Sequence, residues 1–372
     1  MEKPLVGILT YRAGTVFNEG GYFRSLIAIG RTMGIKVFVF SPRDVNVAAK
    51  KVKGYVPAPG KGWREKWFAW PDVVIDQYRY YPLEKHKEYL PFRQQPLFVY
   101  ANSRFANKWR VHHVLAQDEE MRRWLPETKI YSKQNAGQML KRHSLLYIKP
   151  THGSGGRSIL CVEKRRQRYV LRGRTKQQGT EMLTTDSQRQ LLQRLNHWVR
   201  KQKKGNELFF VQQGLHLDLL PKRTVDTRLL IQKNGEGIWE VTGMGVRIGG
   251  RKSSTSNLHG GGRAVPADKF FVSRFGSDTA QRITSECVEL AHRAVNVIEA
   301  HYGPMMEFGF DIGVDVDGRV WLIETNPKPG REILRKTGQH DRYQLAIQRP
   351  LEYAVSLVRH NSADSQPQQY EA

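Results

Sequence analysis

The chain has 372 residues with 39% hydrophobic and 26% charged side chains, enough to bury a sizeable core in two or three compact units and too apolar for global disorder. Its two cysteines, Cys161 and Cys287, lie far apart with no Cys/His cluster, which excludes a disulfide framework and a structural zinc site and fits a reduced, cytoplasmic compartment. Sixty Lys+Arg against 35 Asp+Glu give a formal charge of +25, which favours a polyanionic partner: an acidic peptide or protein, an anionic surface or a nucleic acid.

Residues 5–10 (LVGILT) and 36–41 (KVFVFS) are apolar, β-branched runs around an amphipathic stretch, YFRSLIAIGRTMG, so the chain opens as a β-α-β unit of an α/β domain. The N-terminus is too short in apolar residues for a signal peptide, and no apolar run approaches the roughly 18 residues of a membrane span. VVID at 73–76 and LFVY at 97–100 are further strand candidates, and the three tryptophans of GWREKWFAWP read as core and staple aromatics. A helical pattern runs from Ala106 to Pro126, followed by a helix (AGQMLKRHS) and a strand (LLYIKP) that enters the glycine cluster THGSGGRSI. CVEKRRQRYVLRGR alternates like a hairpin, DSQRQLLQRLNHWVRKQKKG is helical, and LFFVQQG is a strand. The tract from Asp226 to Gly250 is sheet-like, with a tight turn expected at Asn234-Gly235. A long helix, SECVELAHRAVNVIEAHYG, and a last one, QLAIQRPLEYAVSLVRH, flank an acidic hairpin, and a polar tail is expected from Asn361.

That hairpin holds the most informative pattern. A two-residue turn at Asp317-Gly318 would place Val316 opposite Arg319 and Asp311 opposite Glu324, with Asn326 on the same face. Phe310, Ile312, Val314, Trp321 and Ile323 would then form the core face, so the hydrophobic pattern supports the pairing. Three oxygen ligands on one rigid face suit a hard cation such as Mg²⁺, and Lys328 beside them could serve a phosphate or carboxylate. Upstream, Gly153, Ser154, Gly155 and Gly156 with Arg157 form a loop whose N–H groups could close on phosphate oxygens. It is neither a Walker A loop nor a dinucleotide fingerprint, and its weight comes from Lys149 and Lys108 nearby.

Taken in order, Lys108, IKPTHGSGGRSI, FVQQG, DTR at 226–228, SNLHGGG at 256–262, GFDI at 309–312 and IETNPKPG at 323–330 resemble the ATP-grasp superfamily of carboxylate–amine ligases. SNLHGGG and IETNPKPG resemble ligases that add glutamate to a ribosomal protein, and the tract from Asp226 with STSNLHGGG resembles the YheC/YheD family of endospore-formers, associated with the spore coat. The resemblance implies an α+β ATP-grasp fold: a preceding α/β domain over 1–100, a two-lobed ATP-grasp domain over 101–360 with a lid near 150–205, and a disordered tail over 361–372. It implies ATP and one or two Mg²⁺ ions, with Mn²⁺ able to substitute, and amide formation through an acyl phosphate on an acidic peptide, protein or amino acid in sporulation. The alternative is a non-catalytic, ATP-binding coat protein.

Carried over by position, Lys108 and Lys149 would contact ATP, residues 153–157 would cover its β- and γ-phosphates, and backbone groups around Gln212 and Gln213 would meet adenine. Asp311, Glu324 and Asn326 would hold the metal, Arg228 and Arg247 would face the transferred phosphoryl group and the acyl phosphate, and Asn257 would help position the substrate or the second metal. Related ligases often carry an acid where Gln213 stands, so Asp218 is the candidate for the ribose hydroxyls. The basic run from Lys164 to Lys176 could draw in an acidic polypeptide. Nucleic acid is a further polyanion, but no recognition module for it stands in the sequence. His112-His113 and Met305-Met306 read as structural, and Cys161 has no base beside it for nucleophilic chemistry.

Overall fold

The computed structural model describes residues 3–60, 62–80, 83–104, 108–151, 158–174, 180–203, 205, 207–221, 223–250 and 262–364. Three sheets follow one another along the chain. The first holds the expected β-α-β unit: strands Leu5–Leu9 and Lys36–Phe40 run parallel around the helix Gly20–Thr32, with Val73–Asp76 parallel on the other side. Their apolar runs are continuous because both faces of these strands are covered, and Val6, Ile8, Phe38 and Val39 are fully buried. LFVY at 97–100 contributes only a bridge between Tyr100 and Val74.

The three-tryptophan segment is the outermost strand, Trp63–Ala69, paired antiparallel with Lys51–Pro57. Trp63 packs on Phe17 and Trp70 donates its indole N–H to the carbonyl of Leu97 at 2.9 Å, as core-facing aromatics should. Trp67 departs from that expectation and stands 53% exposed.

The helical stretch before Pro126 is shorter than its pattern suggests. It runs from Lys108 to Gln117, and then Asp118 breaks it by accepting the N–H of Met121 while pairing with Arg293. A second sheet has the order Thr180–Thr185, Arg168–Arg174, Ile159–Arg165, Leu145–Pro150, Phe209–Gln213, Thr128–Ile130, every neighbour antiparallel. Helices Lys133–Arg142 and Gln188–Gln202 are N-capped by Ser132 and Ser187 and bury Met139, Leu140, Leu191 and Leu195 in the core they share with it.

The third sheet carries Arg263–Pro266, Trp239–Ile248, Val225–Lys233, Glu307–Val314 and Val320–Asn326, again antiparallel throughout. The helices Ala267–Phe275 and Ser277–Tyr302 pack on its core face. Both hairpin turns in this sheet are longer than expected. Asn234 N–H donates to the Ile238 carbonyl, the Asn234 side chain accepts the N–H groups of Glu236 and Ile238, and Gly237, not Gly235, takes the positive φ. In the acidic hairpin Asp315 N–H donates to the Arg319 carbonyl, so three residues turn the chain, with Gly318 at φ +77°.

The last helix, His340–Asp364, runs four residues into the segment expected as a tail. It returns to the first sheet, where Ile347, Leu351 and Ala354 join Leu26, Ile27 and Val37 in one core. Polar ties reinforce this junction. Buried Glu307 accepts from Gln77, Gln232 and Arg331, linking the first and third sheets. Because Leu351 is fully buried at this junction, Leu351→Ala is expected to lower stability by about 2–4 kcal/mol in urea unfolding, far more than an exposed substitution on the same helix.

Candidate active site

A cleft of about 1980 Å³ opens between the second and third sheets and is bounded at one end by the first unit, at Glu19, Tyr22 and Arg79. Asp311, Glu324 and Asn326 all line it. Asp311 pairs with Glu324 as the hydrophobic pattern implied, although the route differs. The three-residue turn shifts the pairing by one, and a bulge at Ile323 shifts it back, since Ile312 pairs with Leu322 and Asp311 with Glu324. The core face of the second strand is therefore Val320 and Leu322, not Trp321 and Ile323. Trp321 donates its N–H to Asp315 at 2.8 Å, and Ile323 is turned to the cleft wall.

The neighbouring strands put two arginines on Asp311. Arg228 is its cross-strand partner and donates Nε–H to Oδ1 at 2.6 Å. Arg247 reaches Oδ2 at 3.0 Å while gripping Asp226, its own cross-strand partner, at 2.7 and 2.5 Å. Burial pushes the Asp311 carboxyl up, but the two guanidinium groups outweigh it and hold the group below the usual carboxylate range. Burial likewise opposes the charge on Arg247, and Asp311 and Asp226 overcome it, raising its pKa.

Among the described residues no three His, Cys, Asp or Glu side chains gather as a metal centre. A cation here would rest on two carboxylates, the Asn326 carboxamide and ligand oxygens. Each Asp311 oxygen accepts one arginine and keeps a second lone pair, so an all-oxygen site for a hard cation such as Mg²⁺ is compatible with this geometry.

On the opposite wall Lys149 donates to the Gln212 side chain at 2.8 Å, and Gln212 donates onward to Thr128. Gln213 accepts the N–H of Glu127 through its side chain, and its backbone also bonds Glu127. Gly214 N–H donates to the Leu145 carbonyl at 2.7 Å, a contact so close that a Cβ on Gly214 would stand 2.2 Å from the Leu145 side chain. The next backbone group along this wall belongs to Leu215, which lines the cleft with Tyr147, Ile159 and Cys161 as an apolar pocket suited to a flat ring. Asp218 lines the same end. Burial pushes the Cys161 thiol up, in keeping with a role in the wall and not as a nucleophile.

Lys328 has a different use from the one expected. Its ammonium donates to buried Asp76 at 2.8 Å and to the Tyr78 carbonyl at 2.7 Å, pinning the segment after the strand Val320–Asn326 to the first sheet. The Tyr78 N–H at 2.9 Å, Tyr89 at 2.6 Å and Arg93 at 3.2 Å also donate to Asp76. Gly153, Ser154, Gly155, Gly156, Arg157 and Asn257 lie outside the described residues, as does the side chain of Lys108, which begins a described helix. Two features of the cleft were not foreseen. His112, read as structural, lines it, and burial with the nearby His113 and Lys149 pulls its pKa to about 4. Its only sequence signal was its place one helical turn after Lys108. Arg79, paired with Glu19 at 2.7 Å and donating to the Lys328 carbonyl, comes from the first unit and had no signal at all.

An antiparallel sheet over a second antiparallel sheet, with the cleft between them, is the ATP-grasp fold. The sequence profile of the YheC/D-like ATP-grasp family matches residues 98–357, and the chain belongs to that family. The endospore coat-associated protein YheD of Bacillus subtilis (strain 168) is 29% identical over 373 residues, covering 95% of this chain and 79% of that protein. YheC of the same strain is 24% identical over 338 residues, covering 88% and 90%. Among solved structures, D-cycloserine synthetase DcsG superposes with a TM-score of 0.58 at 13% identity, covering 96% of this chain and 99% of that one. The D-alanine-D-alanine ligase from Coxiella burnetii gives 0.54 at 12%, covering 97% and 98%. The ATP-grasp ligase PsnB, complexed with a phosphomimetic variant of its minimal precursor, Mg and ADP, gives 0.51 at 11%, covering 95% and 99%. At these identities the likeness is one of fold. No helix among the described residues is long and apolar enough to cross a membrane.

The Asp311 clamp has a pH signature. A carboxyl held below its unfolded value adds stability that is full above about pH 4 and is lost as pH falls through the folded value. Asp311→Asn leaves the buried Arg247 and the largely covered Arg228 short of a carboxylate and is expected to cost about 3 kcal/mol at pH 7. Urea titrations of parent and variant at pH 7 and at pH 3 should find that gap narrowing at the lower pH.

Proposed function

We propose that the protein is an ATP-dependent carboxylate–amine ligase acting on a peptide or protein, with amide formation passing through an acyl phosphate. The observation that carries this reading is Asp311 paired with Glu324 on the cleft wall and clamped by Arg228 and Arg247, facing a wall that bears Lys149. A bound Mg²⁺ would supply positive charge to the phosphate oxygens, with Asp311, Glu324 and Asn326 as its protein ligands.

Each remaining part follows from residues of this chain. A substrate carboxylate is a poor electrophile until its oxygen takes the γ-phosphoryl group, forming an O–P bond as the bond to ADP breaks. Arg228 and Arg247 offer fixed positive charge for that transfer. Three of the five Arg247 donors go to Asp226 and Asp311, which orient the guanidinium and leave its other face for substrate. The amine then attacks the acyl carbon, loses a proton and expels phosphate, which leaves the amide. Lys149, set by Gln212, is the phosphate contact from the other wall, and Leu215 with Tyr147 and Ile159 encloses the base. Residues 150–205 would close as a lid to keep water from the acyl phosphate. Lys108, residues 153–157, Asp218 and Asn257 keep the nucleotide and substrate roles that the resemblance implies.

The names of the two Bacillus relatives favour a setting in the spore coat, and with it a second reading in which the chain binds ATP without turnover. Incubation with Mg²⁺-ATP, acidic peptides and candidate amino acids, followed by ADP detection and product mass spectrometry, separates the two. The ligase reading expects ADP and a mass increase of one residue. ATP binding with no ADP under any combination would favour the structural one. Glu324→Ala and Lys149→Ala are expected to weaken Mg²⁺-ATP binding by about tenfold or more, lowering its thermal stabilisation, while the fold is retained. If both bind as the parent does, the site is misassigned.

A further inference from the structure

The charge of this protein is concentrated in one place. Residues 129–205 contain nineteen Lys or Arg against three Asp or Glu, so 77 of the 372 residues carry sixteen of the +25. The described residues among them build the second sheet, apart from its strand Phe209–Gln213, and its two helices, and the sheet's edge is the strand Thr180–Thr185, paired with Arg168–Arg174 and with no other strand among the described residues. Arg194 donates to the Thr184 carbonyl at 2.9 Å from the edge side, so alternation turns the N–H and C=O of Met182 outward as well. Met182 is 65% exposed and lies on the rim of the cleft. Leu183, 47% exposed on the other face, borders a shallow groove of about 430 Å³ with Arg194, His197, Trp198 and Lys201.

We propose that this edge is a docking site for an extended acidic polypeptide, which adds a strand beside Met182 and lays its carboxylates against Arg194 and Lys201. An edge strand flanked by exposed apolar side chains is a template for a polypeptide backbone, and nucleic acid has no use for it. Base stacking has little to work with here, because Tyr169 and Trp198 are only 8% and 6% exposed. The surrounding cations complement acidic side chains and steer their approach. Docking is a binding property that stands without turnover. The ligase reading enters only in that a chain held beside Met182 runs along the cleft rim.

Fluorescence anisotropy with a labelled oligo-glutamate peptide and, in parallel, oligo(dT) of equal charge tests this on the full chain at physiological salt. The parent is expected to bind oligo-glutamate more tightly. The charge reversal Arg194→Glu with Lys201→Glu should weaken that binding about tenfold or more. Met182→Pro removes an outward N–H at an edge position that tolerates proline, and should weaken oligo-glutamate severalfold while leaving oligo(dT) unchanged. Circular dichroism checks that each variant is folded, and Leu183→Glu, which puts an acid at the groove, replaces Met182→Pro where that variant does not fold. Absent oligo-glutamate binding, parent-like affinity in the variants, or tighter oligo(dT) binding would each overturn the proposal. ADP formation together with any of these would remove the docking surface and leave the ligase reading in place.

Discussion

The clamp of Arg228 and Arg247 on Asp311 is the interaction on which the rest of the site depends. A carboxylate this deep in a sheet is costly unless paired, and the two guanidinium groups come from two successive neighbouring strands. The pairing fixes the strand order around the acid, fixes the arginines relative to each other through Asp226, and leaves lone pairs and N–H donors directed at the cleft. Such an arrangement is organised before any ligand arrives, so little reorganisation is left for binding.

Much of this was legible in the sequence because it depends on local alternation. The pairing of Asp311 with Glu324 follows from which residues are apolar, and it survives a misjudged turn because the hydrophobic face has to be buried. The turn was misjudged because Asp-Gly fits a two-residue hairpin, while Asp315 offers a side chain that accepts the N–H groups of Asp317 and Arg319 and stabilises a longer one. The bulge at Ile323 was invisible for a similar reason. Trp321 and Ile323 are as apolar as Val320 and Leu322, so nothing local tells the two faces apart, and the Asp315 acceptor for the buried indole is distinguishable only in the fold.

What the sequence hid are partners distant along the chain. Lys328 reads as a phosphate contact because it follows two oxygen ligands and a proline. Its partner, Asp76, is 252 residues away at the end of a buried strand, where nothing local distinguishes it from any other terminal aspartate. The place of His112 on the cleft wall was hidden because a histidine on a helix with no partner at metal spacing carries no sign of which face meets a cavity.

The return of the last helix to the first sheet has a mechanical consequence. With Leu351 and Ala354 inside the N-terminal core, Arg331 on Glu307 and Lys328 on Asp76, the first and third sheets are joined by apolar packing and buried ion pairs at once. The second sheet shares no such core with either, since its apolar side chains form a cluster of their own. The molecule is thus a vise with one fixed jaw of two fused parts and one separate jaw. Any change in the width of the cleft would have to shift the second sheet against the fused pair, because only there is the apolar core interrupted.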